Sequence, residues 1–217
     1  MKIKYEKAAC FLLGALMTLA VALIYCFYQV RCNNHISSMH YEYLQNKGLD
    51  KNSPFVIEPA KDGSYTVVAN SKDVMFNAKV AIAAEAWQRR TGIVFKIADE
   101  TPKSKQGVIQ VKNVKHYLDK DRKNITLGTT RADLGVVKTG TIKISQEANN
   151  NCGTDTYSVI IHELGHAIGV SHNFKNNRDI MSPAGQPDGL KQEITQRDIR
   201  IAKENHRVLM HELKQNK

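Results

Sequence analysis

Cysteine is scarce in this sequence, which has only four in 217 residues. Cys10 and Cys26 fall in an apolar stretch near the N-terminus, whereas Cys32 and Cys152 lie outside that stretch. A single Cys32–Cys152 disulfide is compatible with these positions, but the sequence does not establish its geometry. A small fold held together by several disulfides is therefore excluded, and the chain must depend on an ordinary hydrophobic core.

The sequence also lacks internal repeats, low-complexity tracts and runs of basic residues. Its formal net charge is +10, but Lys and Arg are dispersed along the chain and are not interleaved with aromatic residues. Because a nucleic-acid site is typically a basic patch or stripe, we expect no nucleic-acid partner. The charge instead indicates a solvated basic surface.

Charged residues are absent from Ala8 to Val30. As a helix, this stretch would be roughly 34 Å long, enough to cross a hydrocarbon core of roughly 30 Å. Lys2, Lys4 and Lys7 precede it, which predicts a cytoplasmic N-terminus and an extracellular remainder. The alternative is a signal peptide cleaved near Ala20-Val21-Ala22, which would release a secreted protein.

The remaining sequence predicts one globular domain. The expected order is a cytoplasmic tail (1–7), a single transmembrane signal-anchor helix (8–30), a polar stem (31–54) and the domain (55–217). Periodicity predicts strands at 64–69, 93–98, 107–114 and 139–145, and helices at 73–90, 154–169 and from Thr195 onward. The long βαβ alternation of a doubly wound sheet is missing, so the expected fold class is α+β.

Two helix ends carry local signals. Gly92 suits the end of the first helix, because glycine readily adopts a left-handed conformation. Thr195 and Asp198 resemble a capping box at the start of the last helix, and Ile194 and Ile199 occupy the positions of a hydrophobic staple.

An eleven-residue segment carries the chemistry. Residues 162–172 read His-Glu-Leu-Gly-His-Ala-Ile-Gly-Val-Ser-His. His162 and His166 lie on one face of a helix, where both rings can reach one metal ion. Gly169 can take a positive φ and end the helix, so that the chain can bring His172 to the same ion. Three protein ligands and an open fourth position are typical of catalytic zinc, and we expect one Zn²⁺.

Glu163 is the predicted catalytic residue. Zinc lowers the pKa of a bound water towards about 7 and polarises the scissile carbonyl. Glu163 would take the proton of that water and later pass one to the leaving amine. No serine lies in a Gly-x-Ser-x-Gly sequence and no cysteine lies in a nucleophile signature, so a covalent intermediate is not expected.

The segment resembles the zinc signature of the metzincins, and Met181 in Asp-Ile-Met-Ser-Pro resembles their Met-turn. Three sequences are most similar to the matrixins (matrix metalloproteinase-like, peptidase M10): His-Glu-Leu-Gly-His at 162–166, Ile-Met-Ser-Pro at 180–183 and Ile-Thr-Gln-Arg-Asp-Ile at 194–199. The resemblance implies a metzincin-like zincin catalytic domain, with a twisted mixed sheet and three helices. It also implies zinc metalloendopeptidase activity, with Met181, Gly169 and Pro183 supporting the zinc site.

The sequence departs from the matrixin pattern at several points. Asn173 follows the third histidine, where matrixins commonly have Ser or Thr. A Pro-Arg-Cys-Gly cysteine-switch motif is missing, as is a clear His/Asp-rich loop for a structural zinc. Calcium has no clear site, since Asp119 and Asp121 alone are too few ligands.

The resemblance also suggests how a substrate binds. An extended peptide would add to the sheet at the edge strand Thr139–Ser145, and residues 182–190 would form a wall of the pocket for the side chain after the scissile bond. We expect a monomer that acts on protein or peptide substrates outside the membrane. Two alternatives stay open, namely a non-catalytic zinc-binding surface protein and a zinc amidase that acts on cell-wall material. The intact Glu163 favours an enzyme, and the metzincin-like spacing favours peptides.

Overall fold

Among the residues that the structure describes, a five-stranded sheet and three helices make up most of the fold. The computed structural model describes residues 48–50, 52–114, 128–131, 135–145, 156–183 and 192–215. In chain order the elements are β1 (Phe55–Ile57), β2 (Tyr65–Ala69), α1 (Val74–Thr91), β3 (Phe95–Ala98), β4 (Val108–Val114), β5 (Gly128–Arg131), β6 (Gly135–Val137), β7 (Thr139–Ser145), α2 (Thr156–Ala167) and α3 (Gln196–Gln215).

The strand order of the main sheet is β3-β2-β4-β7-β5. The first four strands are parallel to their neighbours, whereas β5 is antiparallel to β7. The sheet is therefore mixed, in agreement with the predicted α+β class. β1 and β6 form a separate parallel pair.

The two edge strands of the sheet are β3 and β5, and β5 is the one beside β7. Ile142 of β7 pairs with Val111 of β4 on one side and with Thr130 of β5 on the other. The prediction that Thr139–Ser145 is the edge strand is therefore wrong. Residues 128–131 read Gly-Thr-Thr-Arg, without apolar alternation, so the sequence did not reveal the strand that covers β7.

Helix α1 forms where its periodicity predicted it. The side chain of Asp73 caps the first turn by accepting a hydrogen bond from the Phe76 amide at 3.1 Å. Gly92 ends the helix with a φ of 76°, and its amide donates to the Gln88 carbonyl. The fully buried Trp87 packs between α1 and α2, and its indole N–H donates to the Ile161 carbonyl at 2.9 Å. These contacts dock α1 beside the helix that carries the motif.

Helix α3 begins with the predicted capping box. The Thr195 amide donates to Oδ2 of Asp198 at 2.9 Å, and the Asp198 amide donates back to the Thr195 hydroxyl at 3.4 Å. Ile194 and Ile199 are both buried in the main core, as the predicted staple requires. The two signals fix where α3 starts, next to the loop that follows α2.

Several sequence predictions fall outside the described residues. The apolar stretch 8–30, most of the stem and the Cys32–Cys152 pair are among them. Within the described ranges, no helix is both long and apolar enough to cross a membrane. At the end of the stem, Leu49 is buried in a small cluster with Val56 and Leu209, so packing against the domain begins before Phe55.

Candidate metal centre

Helix α2 carries the first half of the candidate site. His162 and His166 lie one turn apart on α2, and their ring centroids are 4.6 Å apart. Glu163 lies next to His162 and is only 5 % exposed. The four-residue spacing therefore brings the two imidazoles together on one face, as predicted from the sequence.

A glycine turn carries the chain from α2 to the third histidine. Gly169 has a φ of 81°, its amide donates to the His166 carbonyl, and the Val170 amide donates to the Gly165 carbonyl. This pair of hydrogen bonds is a Schellman motif, which ends a helix with a left-handed residue. The turn brings the His172 ring to 4.5 Å from the His166 ring, centroid to centroid.

The three histidines point their Nε2 atoms at a common centre. The Nε2–Nε2 distances are 3.0 Å for His166–His162, 3.0 Å for His166–His172 and 3.2 Å for His162–His172. Three nitrogens bound to one tetrahedral zinc, at Zn–N distances of roughly 2.0–2.1 Å, lie roughly 3.3 Å apart. The spacing therefore fits a zinc ion.

Hydrogen bonds on the far side of two rings select the tautomer that zinc needs. Nδ1 of His162 lies 2.6 Å from the Ile180 carbonyl, and Nδ1 of His166 lies 2.9 Å from the Val170 carbonyl. A carbonyl can only accept, so each Nδ1 carries the proton of the neutral ring and each Nε2 presents a lone pair. Lone pairs this close repel one another unless a cation lies between them. The donor set therefore fits a metal ion better than it fits a hydrogen-bonded cluster.

Burial keeps these rings neutral. It lowers the pKa of His162 to about 4, with the hydrogen bond to Ile180 acting in the opposite direction. Burial also lowers the pKa of His166 to about 3, and the neighbouring histidines add to the effect. Burial and the positive charge of Arg197 lower the pKa of His172. Neutral imidazole is the form that binds a metal.

The carboxyl group of Glu163 has one described side-chain partner, Thr130. The Thr130 hydroxyl lies 2.5 Å from Oε2 of Glu163 and 3.0 Å from its carbonyl oxygen. Burial raises the pKa of Glu163 to about 7, whereas the hydrogen bonds with Thr130 act to lower it. A cation at the histidines would lower it further, because an opposite charge favours the carboxylate.

Met181 is fully buried and directly follows Ile180, whose carbonyl accepts from His162. It packs against Gly165 of α2, where an added Cβ would lie 2.5 Å from the Met181 sulfur and 2.9 Å from the Trp87 ring. Only a residue without a side chain permits this approach. The Asn173 amide donates to the Met181 carbonyl at 2.8 Å, which ties the loop after the third histidine to the Met181 turn.

Buried polar side chains hold this turn in place. Asp179 is fully buried and accepts hydrogen bonds from the Met181 amide at 2.8 Å and from the Asn173 side chain at 2.6 Å. Asn173, which departs from the matrixin pattern, thus links the third-histidine loop to the turn. Burial and the adjacent Asp179 raise the pKa of Asp198 to about 6. The Thr195 hydroxyl lies within hydrogen-bond distance of both carboxyl groups, 3.1 Å from Asp179 and 2.8 Å from Asp198.

The loop that carries His172 is also held by Asp50, a residue that precedes β1. Oδ2 of Asp50 accepts a hydrogen bond from the Ser171 hydroxyl at 2.6 Å. Arg197 donates to the Ser171 carbonyl at 3.1 Å and to the His172 carbonyl at 3.3 Å. Both anchors act on the backbone beside His172, so they limit the movement of its ring.

Sequence reasoning identified some of these residues and missed others. The structure brings His162, Glu163, His166 and His172 together and leaves Pro183 exposed at the end of the Met181 turn. Residues 184–190 of the predicted pocket wall lie outside the described residues. Thr130, Asp179, Asp50 and Arg197 were missed as parts of the site, although Asp179 and Arg197 both stood within quoted motifs.

The sequence matches the Matrixin family over residues 60–207, more than half of the chain. The match includes the three histidines, Glu163 and Met181. Among solved structures, the fold is similar to that of high choriolytic enzyme 1, a hatching-enzyme zinc protease of the medaka fish Oryzias latipes. That alignment has 17% identity and a TM-score of 0.44, and covers 70% of this chain and 94% of that one. No curated protein sequence matches significantly. The chain therefore belongs to the matrixin family of metalloendopeptidases, which use one catalytic zinc ion.

Proposed function

We propose that this chain cleaves internal peptide bonds at a zinc ion held by His162, His166 and His172, with Glu163 as the general base. The observation that carries the proposal is the convergence of three Nε2 atoms within 3.2 Å of one another. A buried carboxylate lies beside them on the same helix. Structural zinc sites have four protein ligands, whereas catalytic sites keep a position for water and substrate. The three-histidine arrangement is of the second kind.

Each side chain has a distinct task. The histidines hold the ion, whose Lewis acidity polarises the scissile carbonyl and makes water nucleophilic near neutral pH. Glu163 takes the proton of the attacking water and passes a proton to the leaving amine. Met181 packs against Gly165 of α2 and its carbonyl accepts from the Asn173 amide, so it links α2 to the third-histidine loop. No acyl-enzyme forms, since water attacks the carbonyl directly.

The substrate binds as an extended strand along β5. This strand lies at the end of the sheet, and its pairing with β7 uses one of its two edges. A peptide that pairs with the other edge gains backbone hydrogen bonds without regard to its sequence. Thr130 of β5 contacts Glu163, so such a peptide would pass close to the catalytic carboxylate.

Two features near the histidines bear on specificity. Phe174 is 78% exposed, and its ring meets the His172 ring edge-to-face at a centroid distance of 5.7 Å. It offers an apolar surface to a substrate side chain beside the metal. Pro183, which is exposed directly after the Met181 turn, would lie near the pocket for the side chain after the scissile bond.

The enzyme works at the outer face of a membrane. The uncharged stretch 8–30 is long enough to span a bilayer, and three lysines precede it. This arrangement supports a single-pass anchor with a cytoplasmic N-terminus. The catalytic domain then acts on proteins or peptides close to the membrane surface, as a monomer.

The activity is tested with the full chain, purified in detergent and loaded with zinc. A mixture of peptides and a preparation of cell-wall fragments are digested in parallel, and the products are identified by mass spectrometry. We expect internal peptide bonds to be cut, the cleavage to stop when a chelator removes zinc, and zinc to restore it. Cleavage of wall amides alone would show an amidase. A zinc-loaded chain that cuts neither substrate would show a binding protein, and either result would contradict the proposal.

A further inference from the structure

The hydroxyl group of Thr130 is fixed against the carboxylate of Glu163. It lies 2.5 Å from Oε2 and 3.0 Å from the main-chain oxygen of the same residue. A hydroxyl group has one proton to donate. The shorter distance and the negative charge favour the carboxylate as its acceptor, since hydrogen bonds to ionised groups are the shorter and stronger ones.

The two partners belong to separate parts of the fold. Thr130 is held in β5 by antiparallel pairing with Ile142, which is fully buried in β7. Glu163 belongs to α2, which is docked through the Trp87–Ile161 hydrogen bond and the buried Leu164. The sheet edge therefore sets the position of the hydroxyl independently of the helix that carries the carboxylate.

The hydrogen bond with Thr130 restricts the conformations that the Glu163 side chain can adopt. A glutamate side chain has three rotatable bonds, and a buried carboxylate must find a hydrogen-bond donor. With Oε2 held by Thr130, Oε1 is the oxygen that would take the proton of the water. Catalysis is sensitive to displacements of about 1 Å in such a group.

We propose that Thr130 is a positioning residue, whose hydroxyl holds the Glu163 carboxylate in the orientation needed for proton transfer. The inference rests on the proposed role of Glu163 as the general base. It adds a residue from the edge strand to the site, so the strand on which a peptide docks also orients the base. Substrate binding itself does not use the hydroxyl group, because β5 would pair with a peptide through its backbone.

Three variants of the full chain test this role kinetically. Thr130→Val keeps the shape of the side chain and removes the hydroxyl, whereas Thr130→Ser keeps the hydroxyl and removes the methyl. Thr139→Val is the matched control, because it removes a strand hydroxyl that donates to the Val108 carbonyl at 2.8 Å. Losing a hydrogen bond to a charged group corresponds to a rate loss of roughly tenfold or more.

We expect Thr130→Val to lower kcat roughly tenfold with KM changed by less than about twofold. Thr130→Ser should recover most of kcat, and Thr139→Val should stay within about twofold of the parent. The inference is overturned if Thr130→Val retains the parent kcat. It is also overturned if Thr130→Ser is as impaired as Thr130→Val, since packing of the methyl group would then be the cause.

A second measurement does not depend on activity. Trp87 is the single tryptophan of the chain and is fully buried, so its fluorescence reports unfolding of this domain. The folding equilibrium constant of the zinc-loaded chain is measured for Thr130→Val, Glu163→Ala and the double variant. We expect Thr130→Val to reduce the constant several-fold when Glu163 is present and by less than about twofold when it is absent.

An equal effect in both backgrounds would show that the contact carries no coupling, which would refute the positioning role. Failure of the proposed function looks different. If Glu163→Ala cleaves peptides as fast as the parent, Glu163 is not the base, whatever coupling the unfolding measurements show.

Discussion

At the scale of single residues, the site depends on the partners that fix each protonation state and rotamer. The carbonyls of Ile180 and Val170 hold the Nδ1 protons of His162 and His166, so both rings present Nε2 to the centre. Removing the hydrogen-bond partner of a metal-binding histidine typically lowers the metal affinity by roughly 10–100-fold. His172 is held differently, through the preceding Ser171, whose hydroxyl donates to Asp50 and whose carbonyl accepts from Arg197. Its loop is therefore the part of the site that depends most on distant residues.

Replacing His172 by Ala should remove one ligand and leave two. We expect zinc affinity to fall by more than about a hundredfold. Losing a zinc ligand should lower the affinity more than losing a hydrogen-bond partner of a ligand does. Zinc bound per chain is measured by elemental analysis after dialysis against a zinc buffer. His211→Ala is the control, because His211 is an exposed residue of α3. A His172→Ala chain that retains full zinc would exclude His172 as a ligand.

The sequence predicted the histidines well because their arrangement is local. A helix repeat and one glycine turn are enough to bring His162, His166 and His172 together. Thr130 was not predictable, since it reaches Glu163 only after β5 has paired with β7. Asp50 lies 121 positions before its partner Ser171, so its contact depends on how the whole chain folds.

At the scale of elements, the site forms where α2, the turn after it and the Met181 turn pack against one another. Gly165 allows Met181 and Trp87 to approach α2, and Gly169 ends the helix against Val56 and Asn205. The Asn205 side chain donates to the Gly169 carbonyl at 2.9 Å, which fixes this turn to α3. Each glycine is therefore needed for a contact between elements and not only for a bend.

Gly169→Ala tests this packing against a glycine of similar conformation. Gly92 has a φ of 76°, and a Cβ added there would have nothing within 4 Å. A Cβ added to Gly169 would lie 2.6 Å from the side-chain nitrogen (Nδ2) of Asn205. Gly92→Ala should lower the free energy of unfolding by about 1–2 kcal/mol, the strain of a left-handed alanine. Gly169→Ala adds overpacking and should lower it by about 3 kcal/mol or more.

Denaturant unfolding followed by Trp87 fluorescence measures both variants. Equal losses for the two glycines would mean that conformational strain alone matters at Gly169. The close packing inferred between this turn, Val56 and α3 would then be wrong.

The helices and the strands β2, β3, β4 and β7 followed from the sequence, whereas the short strands β1, β5 and β6 did not. The apolar spacing in α1, the capping box of α3 and the alternation in β4 are signals within one element. β1, β5 and β6 have three or four residues each and show no alternation, whereas the alternation of β3, which is as short, begins before the strand at Ile93. The edge position assigned to β7 failed for the same reason, because the strand beside it was invisible in the sequence.

At the scale of the whole molecule, the proposed membrane anchor at residues 8–30 would determine where the catalytic domain works. A cytoplasmic metallopeptidase and one at the cell surface meet different substrates, although their sites can be identical. The lysines at the N-terminus favour an orientation that leaves the domain outside. The dispersed positive charge would then favour substrates or surfaces with negative charge.

The location is tested with the full chain in intact expressing cells. We expect the chain to stay with the membrane pellet after alkaline carbonate extraction, because a spanning helix is not held by charge alone. Protease added outside the cells should digest the catalytic domain. A chain recovered in the medium without its first residues would show signal cleavage. A domain protected from the external protease would show the opposite orientation.

The most direct test of the whole account is the cleavage rate of the Glu163→Ala chain, measured together with its zinc content. Glu163 is not one of the three converging ligands, so zinc should remain bound at one ion per chain. Without a general base, kcat for a peptide substrate should fall by about 10²–10⁴-fold. A variant that holds zinc and cleaves at the parent rate would contradict the mechanism.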